Sequence, residues 1–119
     1  MNILYIEDNP LDRMLVERYV RTTSHQLKVL PKLLDIDLAA LNIDLLLLDM
    51  YFGGKTSGLD YLKQIRQMGI QCPVAAVTAL ALPQQIDQYH SAGIDRVIKK
   101  PFEITELAEL IAYFDRDVS

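Results

Sequence analysis

The sequence predicts an α/β domain in which a five-stranded parallel sheet is doubly wound, with helices on both faces. Three observations carry this expectation. Short apolar runs alternate along the 119 residues with segments whose apolar residues recur at helical spacing. The central stretch, Ile43-Asp44-Leu45-Leu46-Leu47-Leu48-Asp49-Met50, is apolar without alternation between its carboxylates, the pattern of a strand covered on both faces. Helix starts and stops such as Asn9-Pro10, Gly69 and Gly93 fall between the runs and the periodic segments.

Each element follows in order. Ile3 to Ile6 is the first strand and ends at Glu7-Asp8. Asn9-Pro10 supplies a cap followed by proline at the first helical position, and Leu11, Met14, Leu15, Tyr19 and Val20 continue the helix to about Thr22. Leu27 to Leu30 is a weak second strand closed by Pro31. Leu33 to Leu41 carries apolar residues at helical intervals, with Asp35 and Asp37 among them, and predicts a short, weakly marked second helix. The central stretch is the third strand. Met50 to Thr56 form a loop, after which Ser57 and Asp60 make a capping-box pattern for a third helix carrying Leu59, Leu62, Ile65 and Met68 and stopping at Gly69. Pro73 to Val77 is the fourth strand, ending at Thr78-Ala79. A fourth helix runs from about Pro83 to Gly93, and Asp95 to Ile98 is the fifth strand, followed by Lys99-Lys100-Pro101-Phe102. The last helix places Leu107, Leu110, Ile111 and Phe114 on one face. Five strands thus alternate with five helices.

Composition narrows the function. The chain has the size of a single domain, half its residues are hydrophobic, and no repeat, linker or low-complexity segment divides it. A net charge of −4, with Lys99-Lys100 as the only adjacent basic pair, argues against a nucleic-acid surface. The apolar runs are too brief to cross a bilayer, and no signal peptide opens the chain, so a cytoplasmic protein is expected. Cys72 has no partner for an intramolecular disulfide and reads as an inert thiol at the edge of the core.

In open parallel sheets, ligands gather at the carboxyl ends of the strands. That edge collects Glu7, Asp8, Asp49, Thr78 and Lys100: three carboxylates, a hydroxyl and an ammonium from separate parts of the chain. Each alone has a plain structural explanation, such as a cap or a surface charge. Their joint placement at strand ends points to a site.

These residues resemble the receiver domain of two-component response regulators over nearly the whole chain. The matching pieces are Ile6-Glu7-Asp8-Asn9, Asp44 to Asp49, Val77-Thr78-Ala79, Gly93-Ile94-Asp95 and Lys100-Pro101-Phe102. The resemblance implies a flavodoxin-like sheet of order 2-1-3-4-5. It implies that Asp49 is a phosphoacceptor forming an acyl phosphate. Asp8, Asp49 and the backbone carbonyl of Tyr51 would hold one Mg²⁺, with Glu7 acting through water. Lys100 would pair with the phosphoryl oxygens and Thr78 would donate a hydroxyl hydrogen bond, while small Ala79 leaves room for the group. The expected partners are a histidine kinase or histidine phosphotransfer protein as phosphodonor and a downstream protein target. The expected state is a monomer or a weak phosphorylation-linked dimer. The expected domain is a single receiver, residues 1–119, without an output domain; it assists its own phosphotransfer but is not a metabolic enzyme.

Two features depart from the family pattern. Val97 stands three before Lys100, where an aromatic that changes rotamer is usual, and Gly53-Gly54 replaces a common hydrophobe-proline pair, with one extra residue before Gly58. Val97 gives weight to an alternative, a phosphorylation-independent module that keeps the fold for protein contacts. Gly54-Lys55-Thr56 resembles the end of a P-loop, but Asp49 occupies the position of its first glycine and would repel nucleotide phosphates. A small-molecule hydrolase lacks a second candidate base and a cofactor loop. His90 lies late in a helix, where a solvated residue near the C-terminus is the expectation, and Tyr89 beside it offers one aromatic for a partner surface.

Overall fold

The computed structural model of the protein describes residues 1–33, 37–52 and 56–118, with side chains to residue 115. Strands β1 (Asn2–Ile6), β2 (Gln26–Leu30), β3 (Leu45–Leu48), β4 (Val74–Thr78) and β5 (Arg96–Lys99) form one sheet of order β2-β1-β3-β4-β5. Every neighbouring pair is parallel. Among the described residues, four α-helices connect or follow the strands: α1 (Pro10–Arg21), α2 (Gly58–Gln67), α3 (Pro83–Ser91) and α4 (Ile104–Val118).

Strand periodicity divides the core in two. Ile3, Tyr5, Leu45, Leu47, Ala75 and Val77 pack with Val16 and Val20 of α1 and Leu107, Ile111 and Phe114 of α4. Leu4, Ile6, Leu46, Leu48, Val74 and Ala76 pack on the other face with Leu62 and Ile65 of α2 and Tyr89 of α3. Alternate residues of β3 thus enter opposite layers, which is why the run had to be apolar throughout. Every residue from Leu45 to Leu48 is fully buried.

The signals that start and stop helices act as the sequence indicates. Asn9 Oδ1 accepts from Leu11 N at 2.9 Å and Asp12 N at 3.4 Å, capping α1. Ser57 and Asp60 close the reciprocal box at the start of α2, with Asp60 N to Ser57 Oγ at 3.3 Å and Ser57 N to Asp60 Oδ2 at 3.1 Å. Gly69 and Gly93 take φ of +86° and +96°, the left-handed conformation that glycine adopts at least cost. Asp44 and Asp95, expected within strands, instead cap the sheet's opposite edge. Asp44 Oδ2 accepts from Asn2 N at 2.7 Å, and Asp95 Oδ2 accepts from Val74 N at 2.9 Å.

The second helix is corrected. Part of the Leu33–Leu41 expectation, residues 34–36, lies outside the described residues; of the remainder only Leu38–Leu41 is helical, as one 3₁₀ turn. Asp37 gives that turn no side-chain cap, and Asn42 in the left-handed region (φ 50°) ends it at once. Leu38 is buried, so the apolar spacing reflects a turn docked on the core. Among the described residues no helix is long and apolar enough to cross a membrane.

Candidate functional site

The sheet's hydrogen bonding runs one residue past the strands and fixes the site's backbone. Glu7 N donates to Leu30 O at 2.9 Å, Asp49 N to Ile6 O at 3.2 Å, and Lys100 N to Thr78 O at 2.9 Å. The residue that leaves β1, β3 and β5 is therefore pinned in each case by the adjacent strand. The three side chains emerge at one edge, as the sequence implied.

They meet directly. Lys100 Nζ donates to Glu7 Oε2 at 2.9 Å and to Asp49 Oδ2 at 3.3 Å. Glu7 is fully buried; its Oε2 also accepts from the Tyr5 hydroxyl at 3.3 Å and its Oε1 from Asn9 N at 3.2 Å. Burial pushes the Glu7 carboxyl up to about 7, while the Lys100 hydrogen bond pulls the other way. Burial, reinforced by the charges of Glu7, Asp12 and Asp49, pushes the Tyr5 hydroxyl far above its usual range and keeps it a donor. For Lys100, burial favours loss of the proton, but the bonds to Asp12 and Glu7 outweigh it and hold the ammonium above its ordinary value.

Asp49 is 5% exposed, and its Oδ1 accepts from Tyr51 N at 3.3 Å, which sets the Tyr51 peptide beside the carboxylate. Asp8 is exposed, and oxygens of Glu7, Asp8 and Asp49 come within 4.8 Å of one another. Such an all-oxygen set suits a hard divalent cation. The Glu7 oxygens already receive three donors, from Tyr5, Asn9 and Lys100, and the Asp49 oxygens receive two, from Tyr51 and Lys100.

Thr78 is fully buried, and its Oγ1 accepts from Leu80 N at 3.0 Å, leaving its O–H as a donor. Ala79, Tyr51 and Leu80 join these residues around one open cleft of about 390 Å³. All the residues expected at the site are brought together there.

The structure adds three residues that sequence reasoning missed. Asp12, in the first turn of α1, accepts from Lys100 Nζ at 2.8 Å, making it a fourth carboxylate at the cleft. An acid at that helix position is ordinarily read as complementing the helix dipole, so only the tertiary pairing reveals it. Arg13 Nη1 donates to the carbonyls of Glu7 (3.0 Å) and Asp8 (3.3 Å), bracing the acidic turn. Tyr5, expected only as a strand residue, holds Glu7. Three other readings change or gain detail. Tyr89 is buried, its hydroxyl donating to Leu80 O at 2.7 Å, so it belongs to the core and not to a partner surface. His90 is exposed, with Nδ1 2.9 Å from Ile94 O. Cys72 is half-buried, and burial pushes its thiol up, away from the reactive thiolate.

The sheet order and the lysine set among strand-end carboxylates define a receiver-type α/β domain. The family model for the response regulator receiver domain matches residues 3–112, and the chain belongs to that family. It is 28% identical over 116 residues to the sensor histidine kinase RcsC of Salmonella typhi, covering 96% of this chain and 12% of that protein. It is 29% identical over 133 residues to the two-component response regulator ARR3 of Arabidopsis thaliana, covering 99% of this chain and 57% of that protein. The chain therefore spans only part of the length of these relatives. In fold it is similar to the chemotaxis protein CheY4 of Vibrio cholerae, with a TM-score of 0.81, 15% identity, and coverage of 95% of this chain and 97% of that one. The receiver domain of Francisella response regulator 1452 superposes equally, with a TM-score of 0.81, 20% identity, and coverage of 99% and 98%.

Proposed function

We propose that this receiver domain is a phosphorelay switch that accepts a phosphoryl group on Asp49 from a histidine kinase or a histidine phosphotransfer protein. The observation that carries this reading is the setting of Asp49. It is a nearly buried carboxylate at the end of β3, with Lys100 on one oxygen, the Tyr51 N–H on the other, and Asp8 beside it.

In the transfer, an Asp49 carboxylate oxygen forms a bond to phosphorus as the phosphorus–nitrogen bond of the phosphohistidine breaks, and the departing imidazole nitrogen keeps the electron pair. The Lys100 ammonium is placed to follow the charge onto the phosphoryl oxygens. Thr78 supplies its O–H to the same group, and Ala79 leaves the approach open. Asp8 and Asp49, with the Tyr51 carbonyl, would hold Mg²⁺, which when bound offsets the repulsion between the acidic cluster and the phosphoryl group. Glu7, buried and bonded to Lys100 and Tyr5, orients the ammonium and would act on a bound ion through water. We read the domain as cytoplasmic, as a phosphoacceptor and not a metabolic enzyme, as monomeric or weakly dimerising on phosphorylation, and as passing its signal through protein contacts.

Phos-tag electrophoresis after incubation with acetyl phosphate tests this. A shifted band that needs Mg²⁺ and disappears in Asp49→Asn is expected. No Mg²⁺-dependent band would favour the alternative, a phosphorylation-independent interaction module, which Val97 supports because β5 lacks the aromatic that usually reports on the threonine.

A further inference from the structure

Lys100 is more heavily engaged than its proposed role requires. An ammonium has three N–H donors. Lys100 Nζ has three carboxylate oxygens around it: Asp12 Oδ2 at 2.8 Å, Glu7 Oε2 at 2.9 Å and Asp49 Oδ2 at 3.3 Å. Every donor is thus committed in the unphosphorylated protein, and the longest contact is the one to the proposed acceptor.

We propose that Asp12 is a positioning residue that holds the Lys100 ammonium toward α1 and so slows its transfer to a phosphoryl group on Asp49. The inference rests on reading Asp49 as the phosphoacceptor. Asp12 stands apart from the carboxylate group that could hold a metal, which comprises Glu7, Asp8 and Asp49. Among the described residues, its side chain hydrogen-bonds only to Lys100. Its backbone is fixed, because Asn9 Oδ1 accepts from its N–H in the cap of α1. Glu7 cannot easily release Lys100, being fully buried and dependent on that ammonium, whereas the Asp12 side chain is 29% exposed and water can replace the bond. When phosphoryl oxygens claim the ammonium, the Asp12 bond is the one that yields. Asp12 also adds a negative charge to the cleft that must receive an anionic group, so both effects act in the same direction.

Replacing Asp12 by asparagine keeps the shape, removes the charge and weakens the hold on Lys100. A partly exposed ion pair of this kind sets the scale: phosphorylation by acetyl phosphate with Mg²⁺ should become about three- to fivefold faster in Asp12→Asn. Asp87→Asn, an exposed change of the same charge on α3, should leave the rate unchanged. A second readout needs no phosphate. In wild type the Lys100 ammonium should give a slowly exchanging ¹H–¹⁵N side-chain resonance, which shifts or broadens in Asp12→Asn while the urea midpoint moves little. A Lys100 resonance unmoved by Asp12→Asn would overturn the positioning role, whatever the kinetics. A wild type that is phosphorylated, with Asp12→Asn no faster than Asp87→Asn, would overturn the claim that the hold slows transfer. A wild type that takes up no phosphoryl group would overturn the acceptor reading and, with it, the kinetic claim.

Discussion

Gly58 ties the stability of the fold to the placement of Asp49, and Gly58→Ala should damage both. Gly58 is the first residue of α2, following the Ser57 cap, and its N–H donates to Met50 O at 3.1 Å. A Cβ at this position would lie 2.2 Å from the Asp49 carbonyl oxygen, 2.6 Å from Met50 Cε and 2.8 Å from Met50 Cα. The flexible Met50 side chain can swing away; the carbonyl cannot, because Asp49 N is bonded to Ile6 O. The methyl is about 1 Å too close to backbone for ordinary contact, so the first turn of α2 must retreat. Such overpacking costs about 1–3 kcal/mol, and loss of the Gly58–Met50 bond adds about 1 kcal/mol. The better helix propensity of alanine returns less than about 1 kcal/mol at a helix end. A net loss of about 2–3 kcal/mol corresponds to a fall in Tm of roughly 8–12 °C for a domain of this size. Circular dichroism through thermal unfolding measures it, and acetyl phosphate labelling well below Tm should also be slower, because the Asp49 backbone is displaced. A Tm within about 2 °C of wild type would refute the reasoning.

The metal division and the lifetime of the phosphorylated state are separately testable. Asp8→Ala should weaken Mg²⁺ binding, followed by calorimetric titration, more than Glu7→Ala does, because the Glu7 oxygens are already bonded to Lys100, Tyr5 and Asn9; equal losses would refute the division. Tyr51 and Leu80 flank the cleft at 60% and 39% exposure, and neither is an acid able to orient an attacking water. Phospho-Asp49 should therefore be long-lived, and Tyr51→Asn with Leu80→Glu should shorten its life by about tenfold, read as decay of the Phos-tag band after donor removal. Equal decay in wild type and double variant would show that these side chains do not guard the bond.

Asp49, Glu7 and Lys100 were legible in the sequence for a single reason. Glu7 and Asp49 are each the first residue past an apolar run and Lys100 is the second after Val97-Ile98, and a parallel sheet delivers residues at such strand ends to one edge. The bonds that pin them, from Glu7 N, Asp49 N and Lys100 N to the neighbouring strands, are continuations of the sheet itself. The capping box at Ser57 was equally readable because its logic is local. The 3₁₀ turn at Leu38–Leu41 was not, since a docked turn and a short helix leave the same apolar spacing. Asp12, Tyr5 and Tyr89 escaped for another reason: each acquires its role from a partner distant in sequence or hidden by burial. Lys100 lies 88 residues from Asp12, and no local pattern announces that pairing.

The charge balance at Lys100 gives a last, pH-dependent consequence. One ammonium faces Glu7, Asp12 and Asp49, of which Glu7 is fully buried. Buried ion pairs add little net stability, but removing one partner leaves an uncompensated charge costing about 3–5 kcal/mol. Lys100→Met imposes that cost on Glu7, whose carboxyl already stands at about 7, raised from 4.5 by burial. Without Lys100 the folded value rises further. Between the unfolded and folded values the folded chain binds more protons than the unfolded one, so stability falls as pH rises through that window. Near pH 5.5 Glu7 takes up a proton and escapes most of the cost; near pH 8 it does so only by binding a proton from dilute solution. Urea unfolding without divalent metal should therefore show Lys100→Met destabilised by about 3 kcal/mol near pH 8 and by markedly less near pH 5.5. An equal loss at both pH values would mean that Glu7 does not carry the uncompensated charge, and that Asp12 and Asp49, nearer to water, absorb it instead.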